Sequence, residues 1–157
     1  MASALPAAAR ADRQMDPELR GVLAEVIHPT ECFEDRYSRA VWFAAMEPRL
    51  SRYVKDSKER EQILHHVHCE AKRVDVPPEL VLAVMDVESR FDRYAVSSAG
   101  AVGLMQVMPF WPRELGMSNE QLIRIGDNVR MGTTILSYYL RKERGNYQRA
   151  LQRYNGS

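Results

Sequence analysis

VMDVESRFDRYAVSSAGAVGLMQVMP, residues 84–109, changes character halfway, and that change decides how the chain is read. Its first part has helical spacing and carries three acids, Asp86, Glu88 and Asp92, within seven residues. From Asp92 to Gly103 the periodicity is lost and Ser, Ala and Gly take over, so this part is loop or a short hairpin. Placed on a wheel at about 100° per residue, Leu80, Val84, Val87 and Phe91 define an apolar stripe with Val81 at its edge. Glu88 falls inside the stripe, and the expectation is that this face packs. Asp86 falls on the opposite side, beside Leu82 and Arg90, and Asp92 comes at the helix end, where it caps or pairs with Arg93.

A carboxylate on a packed face is costly unless it is neutral or paired. Desolvation raises a carboxyl pKa, which suits a general acid working near neutral pH. Glu88 is therefore the candidate acid, and a core ion pair with an arginine is the competing reading. The residues that follow favour a site. Ser97, Ser98, Gly100 and Gly103 let backbone and hydroxyls approach a ligand without bulk. Gln106 offers an amide for sugar hydroxyls or acetamido groups, and Met105, Met108, Phe110 and Trp111 offer apolar surface for sugar faces.

Outward from this stretch, the pattern stays helical. Asp16-Pro17-Glu18 starts a helix whose apolar face is Leu19, Val22, Leu23, Val26 and Ile27, and residues 29–35 break it. Helices are expected over about 38–54, from a cap at Ser57 through 74, and from Pro77-Pro78 to about Arg90, since proline fits a first helical turn. A short helix over 104–111, a turn over 118–123, a long helix capped by Asp127 or Asn128 and ended by Gly145, and a last turn over 147–154 complete the chain. No stretch alternates long enough to demand a large sheet, so the class is mainly α.

At 157 residues and a net charge of +1, the chain has one domain's worth of core and no electrostatic case for nucleic acid. No apolar run is long enough to span a bilayer. Ala9-Arg10-Ala11 before Asp12 reads like the end of a secretory signal, although the basic start and apolar centre of one are missing. Residues 1–14 are thus a signal remnant or a disordered Ala-rich tail. Cys32 and Cys69 suit either one disulfide in an oxidising compartment or two buried thiols. Among His65, His66, His68 and Cys69, only His65 shares a helix face with His68 or Cys69, and nothing completes a metal site.

The ordered pieces Glu88-Ser89-x-Phe91, Ser97-x-x-Gly100-Ala-x-Gly103-Leu-Met-Gln106-Val-Met108-Pro109, Asn128 with Gly132, and Tyr154-Asn155-Gly156 resemble the signature of the soluble lytic transglycosylase family. The likeness spans about residues 77–156, and four motifs in order make it specific. It implies a lysozyme-like, goose-type helical fold with at most a very short β-hairpin. The implied organisation is a catalytic core over 75–157 and an N-terminal helical segment, 15–74, packed on it. The family usually continues past Tyr-Asn-Gly into a helix that closes one side of the groove, so an end at Ser157 implies a truncated C-terminus or a more open groove.

The resemblance further implies cleavage of the bond between N-acetylmuramic acid (MurNAc) and N-acetylglucosamine (GlcNAc) in peptidoglycan, without hydrolysis. Glu88 matches the sole catalytic acid, and the substrate's own acetamido group removes the need for a second carboxylate. Ser97 matches the serine that holds that acetamido group or steadies the transition state, and Gln106 and Met108 match residues lining the sugar groove. Tyr154 matches the tyrosine that orients the glutamate, with Asn155 beside it. By the same resemblance, Ser89 and Phe91 fix the helix end and core, and Asn128 caps its helix. No cofactor or metal is implied. The expected partner is the peptidoglycan glycan strand, met by a monomer in the periplasm. The rivals are a lysozyme-type hydrolase and a non-catalytic glycan-binding module.

Overall fold

The computed structural model describes residues 16–26, 32 and 35–156. Residues 1–14, read above as a signal remnant or tail, lie outside them. Among the described residues there are eight helices: α1 (Pro17–Val26), α2 (Arg36–Ser51), α3 (Ser57–Arg73), α4 (Pro78–Ser89), α5 (Phe110–Glu114), α6 (Asn119–Ile123), α7 (Ile125–Lys142) and α8 (Tyr147–Asn155). The only strand-like features among these residues are antiparallel bridges pairing Val102 with Val96 and with Val107. The mainly α reading with at most a very short hairpin is what the chain adopts.

Local chemistry sets most helix ends. Asp35 accepts from the Tyr37 and Ser38 N–H groups at the start of α2, and Asp56 accepts from Lys58 at the start of α3. Ser118 and Gln121 form a reciprocal capping box at α6, and Asn146 caps α8. Three expectations shift. Ser57, expected to cap α3, is its first helical residue, and Asp56 before it is the cap. The helix expected over 104–111 is instead Phe110–Glu114, because Leu104, Met105 and Val107 are drawn into the core as a bridged turn. Pro112 sits inside α5 without harm, since the first turn of a helix has no acceptors for its N–H groups. Neither Asp127 nor Asn128 caps α7, which begins two residues earlier at Ile125.

Helix α7 is the centre of the molecule. Every residue from Asn128 to Leu140 is buried, as a helix packed on all sides requires. Helices α1, α3, α6 and α8 pack against it, while α3 also carries α2 and α4. Polar groups in this packing are paired. Glu70 takes Arg130 at 2.9 Å and Arg73 at 2.6 Å, and Arg73 also donates to the Thr134 hydroxyl at 2.6 Å. Helix α1 is tied down by the Tyr138 hydroxyl on Asp16 at 2.8 Å, by Lys142 on Glu18 at 3.2 Å, and by the Arg130 guanidinium on the Val26 carbonyl. Cys32 and Cys69 form a disulfide, joining the segment before α2 to α3.

Candidate active site

Glu88 occupies the last turn of α4, and the backbone stops there abruptly. Arg90 and Phe91 both take left-handed φ, at 51° and 61°, conformations that cost an ordinary residue about 1–2 kcal/mol each. Their reversal sends Phe91 into the core and leaves Glu88 half-buried at the helix end. Ser89 secures the stop by placing its hydroxyl 2.7 Å from the Leu104 carbonyl and 3.2 Å from that of Met85. The apolar stripe predicted for α4 needs correction. The core face is Val81, Leu82, Val84 and Met85, whereas Val87 is 70% exposed. Leu82, expected on the outer side beside Asp86, is buried. Val81, Val84 and Phe91 of the predicted stripe are in the core, while Leu80, Val87 and Glu88, with the edge of Val84, form one wall of an open cleft.

Two clefts meet at Glu88. The first is lined by Gln106, Met108, Trp111, Tyr139, Arg153 and Tyr154, among others. The second runs between α4 and α8, past Leu80, Val87, Leu151 and Asn155. Only Glu88 and Tyr154 line both, and Glu88 is the single carboxylate lining either. Of the residues predicted from sequence, Gln106, Met108 and Tyr154 come together with Glu88 in the first cleft, and Tyr154 and Asn155 in the second. Ser97 lines neither. Its hydroxyl accepts from the Ala101 N–H at 3.0 Å and closes the 97–101 turn.

The loop wall of the first cleft is fixed by polar groups reaching in from α7 and α8. The Asn128 side chain is buried; its carbonyl accepts from Met105 N–H at 2.9 Å, and its amide donates to the Val102 and Leu122 carbonyls at 2.9 and 3.0 Å. It therefore neither caps α7 nor faces a ligand; it laces the loop to the central helix. Gly103 makes this possible: its φ is +81°, and a Cβ there would stand 2.4 Å from the Asn128 amide nitrogen. Gly132, one turn beyond Asn128, gives room to Met105, whose Cβ would lie 2.6 Å from an added methyl. The spacing of Asn128 and Gly132 thus places two contacts to one loop on one helix face.

Gln106 spends its amide protons on the Ala95 and Gly103 carbonyls, both at 3.1 Å, which leaves its side-chain oxygen as the group a ligand meets. Tyr154 donates its hydroxyl proton to the Met105 carbonyl at 2.7 Å. Burial pushes the Tyr154 phenol well above its ordinary range, and the charges of Glu88 and Tyr139 add to that. With its one proton committed, the Tyr154 oxygen has only lone pairs to offer toward Glu88. Sequence reasoning placed Tyr139 along the last long helix and did not single out Ile135 or Arg153. The signals were present: Ile135 and Tyr139 are one turn apart on α7, and Arg153 precedes Tyr154.

Two comparisons with known proteins bear on this site. Residues 66–157 match the family model described as "Transglycosylase SLT domain". Among curated proteins, "Membrane-bound lytic murein transglycosylase C" of Actinobacillus pleuropneumoniae serotype 5b (strain L20) is 54% identical over 48 residues, 31% of this chain and 13% of that protein. Proteins of the same description from Glaesserella parasuis serovar 5 (strain SH0165) and Haemophilus influenzae (strain PittEE) are 54% and 49% identical over 39 residues. In both cases the match covers 25% of this chain and 11% of the relative. The chain thus spans a small part of the relatives it matches.

Proposed function

Since the chain belongs to the transglycosylase SLT domain family, we propose that it is a peptidoglycan lytic transglycosylase with Glu88 as its acid and then its base. The observation that carries this reading is that, among the described residues, Glu88 is the one carboxylate lining the two clefts that meet at it. A glycosidase using two carboxylates needs the second one across the scissile bond. With one carboxylate, the substrate must supply the second function.

The steps balance on a single proton carrier. Protonated Glu88 gives its proton to the oxygen between MurNAc C1 and GlcNAc C4, and that C1–O bond breaks. The substrate acetamido group shares the positive charge left at C1. Glu88, now a carboxylate, takes the proton of the muramoyl C6 hydroxyl as its oxygen attacks C1. The products are a 1,6-anhydroMurNAc end and a free GlcNAc end, no water is consumed, and Glu88 returns protonated. Tyr154 lines both clefts with Glu88, and its bond to the Met105 carbonyl holds its ring at the acid's side. The Gln106 side-chain oxygen accepts from sugar groups, while Met108 and Trp111 supply apolar surface. Ser97 acts at the loop edge, where its hydroxyl keeps a proton to donate to an acetamido carbonyl, and Asn155 borders the α4–α8 cleft.

The Cys32–Cys69 disulfide supports an oxidising location, the periplasm. No helix among the described residues is long and apolar enough to cross a membrane. The deciding experiment is digestion of purified sacculi by the protein and by Glu88→Gln. The protein is expected to release muropeptides with anhydro ends, each lighter by one water than a hydrolase product, and Glu88→Gln to release none while still binding glycan. Release of hydrated ends only would replace the reading with a hydrolase, and undiminished release by Glu88→Gln would remove the residue from its role.

A further inference from the structure

On the far side of α4 from the Glu88 clefts' loop wall lies another, solvent-open groove, between the C-terminal end of α2 and α4. Its walls include Arg49, Arg52, Tyr53, Ala83, Asp86 and Phe91. Ala83 also lines the α4–α8 cleft, so the two depressions share a wall. From Ala83 to Glu88 is five residues of helix, about 7 Å along the axis. The groove therefore borders, across α4, the cleft that ends at the candidate acid.

The groove has a definite charge pattern. Arg49 and Arg52 are exposed, three residues apart on one helix face, and neither guanidinium has an ion-pair partner among the described residues. Asp86 faces them from α4, likewise without an ion-pair partner among these residues. Between the charges lies the face of Tyr53, 44% exposed and packed on Phe91 at 5.9 Å between ring centres. Two open forks for carboxylates, one site for an ammonium and an aromatic floor fit a short peptide carrying free carboxylates and an amine. A bare glycan of N-acetylated sugars has nothing for two guanidiniums to pair with, except the lactyl group that peptides cap.

We propose that this groove binds the peptide stem of the muramic acid whose glycan lies in the Glu88 cleft. Arg49 and Arg52 hold the stem's carboxylates, Asp86 takes its amine, and Tyr53 packs on its backbone. This rests on the transglycosylase reading above. It adds a substrate-recognition element formed partly by α2, which lies before the residues that match the family.

The test compares two substrates: sacculi with intact peptide stems and the same glycan stripped of its peptides. For Arg49→Ala with Arg52→Ala, kcat/KM on the peptide-bearing substrate is expected to fall about tenfold, the loss of about 1.4 kcal/mol of binding. On stripped glycan the double variant should stay within about twofold of the parent protein, with an unchanged melting temperature. Equal loss on both substrates, or loss on neither, would overturn the proposal. A second readout uses Glu88→Gln protein and soluble glycan fragments with and without stems. Tighter binding of the stem-bearing fragment, removed by the double substitution and weakened by salt, supports the groove. Equal affinity for the two fragments refutes it while leaving Glu88 in place. Failure of the parent protein to cut either substrate removes the transglycosylase reading itself.

Discussion

The two walls that meet at Glu88 are built on opposite principles. The loop wall, residues 95–108, is held by directional contacts: Asn128 to three backbone groups, Ser89 to Leu104, Gln106 to Ala95 and Gly103, and Tyr154 to Met105. The helical wall, where α4 faces α8, presents Leu80, Val87 and Leu151 as apolar surface, with Val87 mostly in solvent. Directional bonds to buried groups fix atomic positions and are costly to break. Exposed apolar contact is tolerant of change and leaves a surface free for a partner. The wall that carries the polar groups of the proposed sugar site is the fixed one.

That contrast can be broken, and the largest effect is expected at Asn128. Asn128→Ala leaves the Met105 N–H and the Leu122 carbonyl without their partner, at roughly 1–3 kcal/mol each, and removes one of the two donors of the Val102 carbonyl, which keeps Val107 N–H at 3.0 Å, for about 1 kcal/mol more. Thermal or urea unfolding should show a loss of at least about 3 kcal/mol, and a smaller loss would mean the loop is held by packing instead. Gly103→Ala comes next, with an added Cβ against Asn128 and an unfavourable φ, for about 2–5 kcal/mol in the same measurement.

Tyr154→Phe tests the fixed wall at its junction with Glu88. Removing the bond to Met105 should cost about 1 kcal/mol of stability and lower kcat more than it raises KM, since it disturbs the acid's surroundings and leaves the sugar contacts. The same phenol predicts an alkaline limb. Its folded pKa is raised by burial first and then by Glu88 and Tyr139, so above about pH 10 the unfolded chain loses this proton while the folded one keeps it. Stability should fall as pH rises through that range, and the fall should be shallower in Tyr154→Phe. The smallest effect is expected on the helical wall: Val87→Ser should change stability by no more than about 0.5 kcal/mol. A large loss there would show that the cleft face of α4 is packed after all.

Much of this was legible in the residues themselves. The start at Asp16, the turn begun by Ser118 and the paired prolines before α4 are local chemistry read from the sequence. The caps at Asp35, Asp56 and Asn146 went unnamed, Asp56 standing where Ser57 was expected. The angle between Glu88 and its neighbours Leu80, Val84 and Val87 is likewise a property of one helix. It grouped those residues correctly, and it separated Glu88 from Asp86, which faces the groove on the other side of α4.

What that stripe faces is another matter. Periodicity fixes the angles between side chains on one helix and is silent about which neighbour covers them. Thus Val81, Val84 and Phe91 of the expected stripe went into the core, Val87 and Glu88 became cleft wall, and Leu82 went inward. Asn128 was read as a cap because its partners lie in a loop 23 and 26 residues away, as well as at Leu122, and only tertiary packing brings the loop to it. The Tyr154 proton, committed to a carbonyl 49 residues earlier, belongs to the same kind of fact. Local chemistry wrote the helices and set Glu88 apart as the candidate acid. Only the packing of α7 against its neighbours decided which groups surround that acid, because long-range contacts depend on the whole arrangement of helices and leave no periodic trace in any one of them.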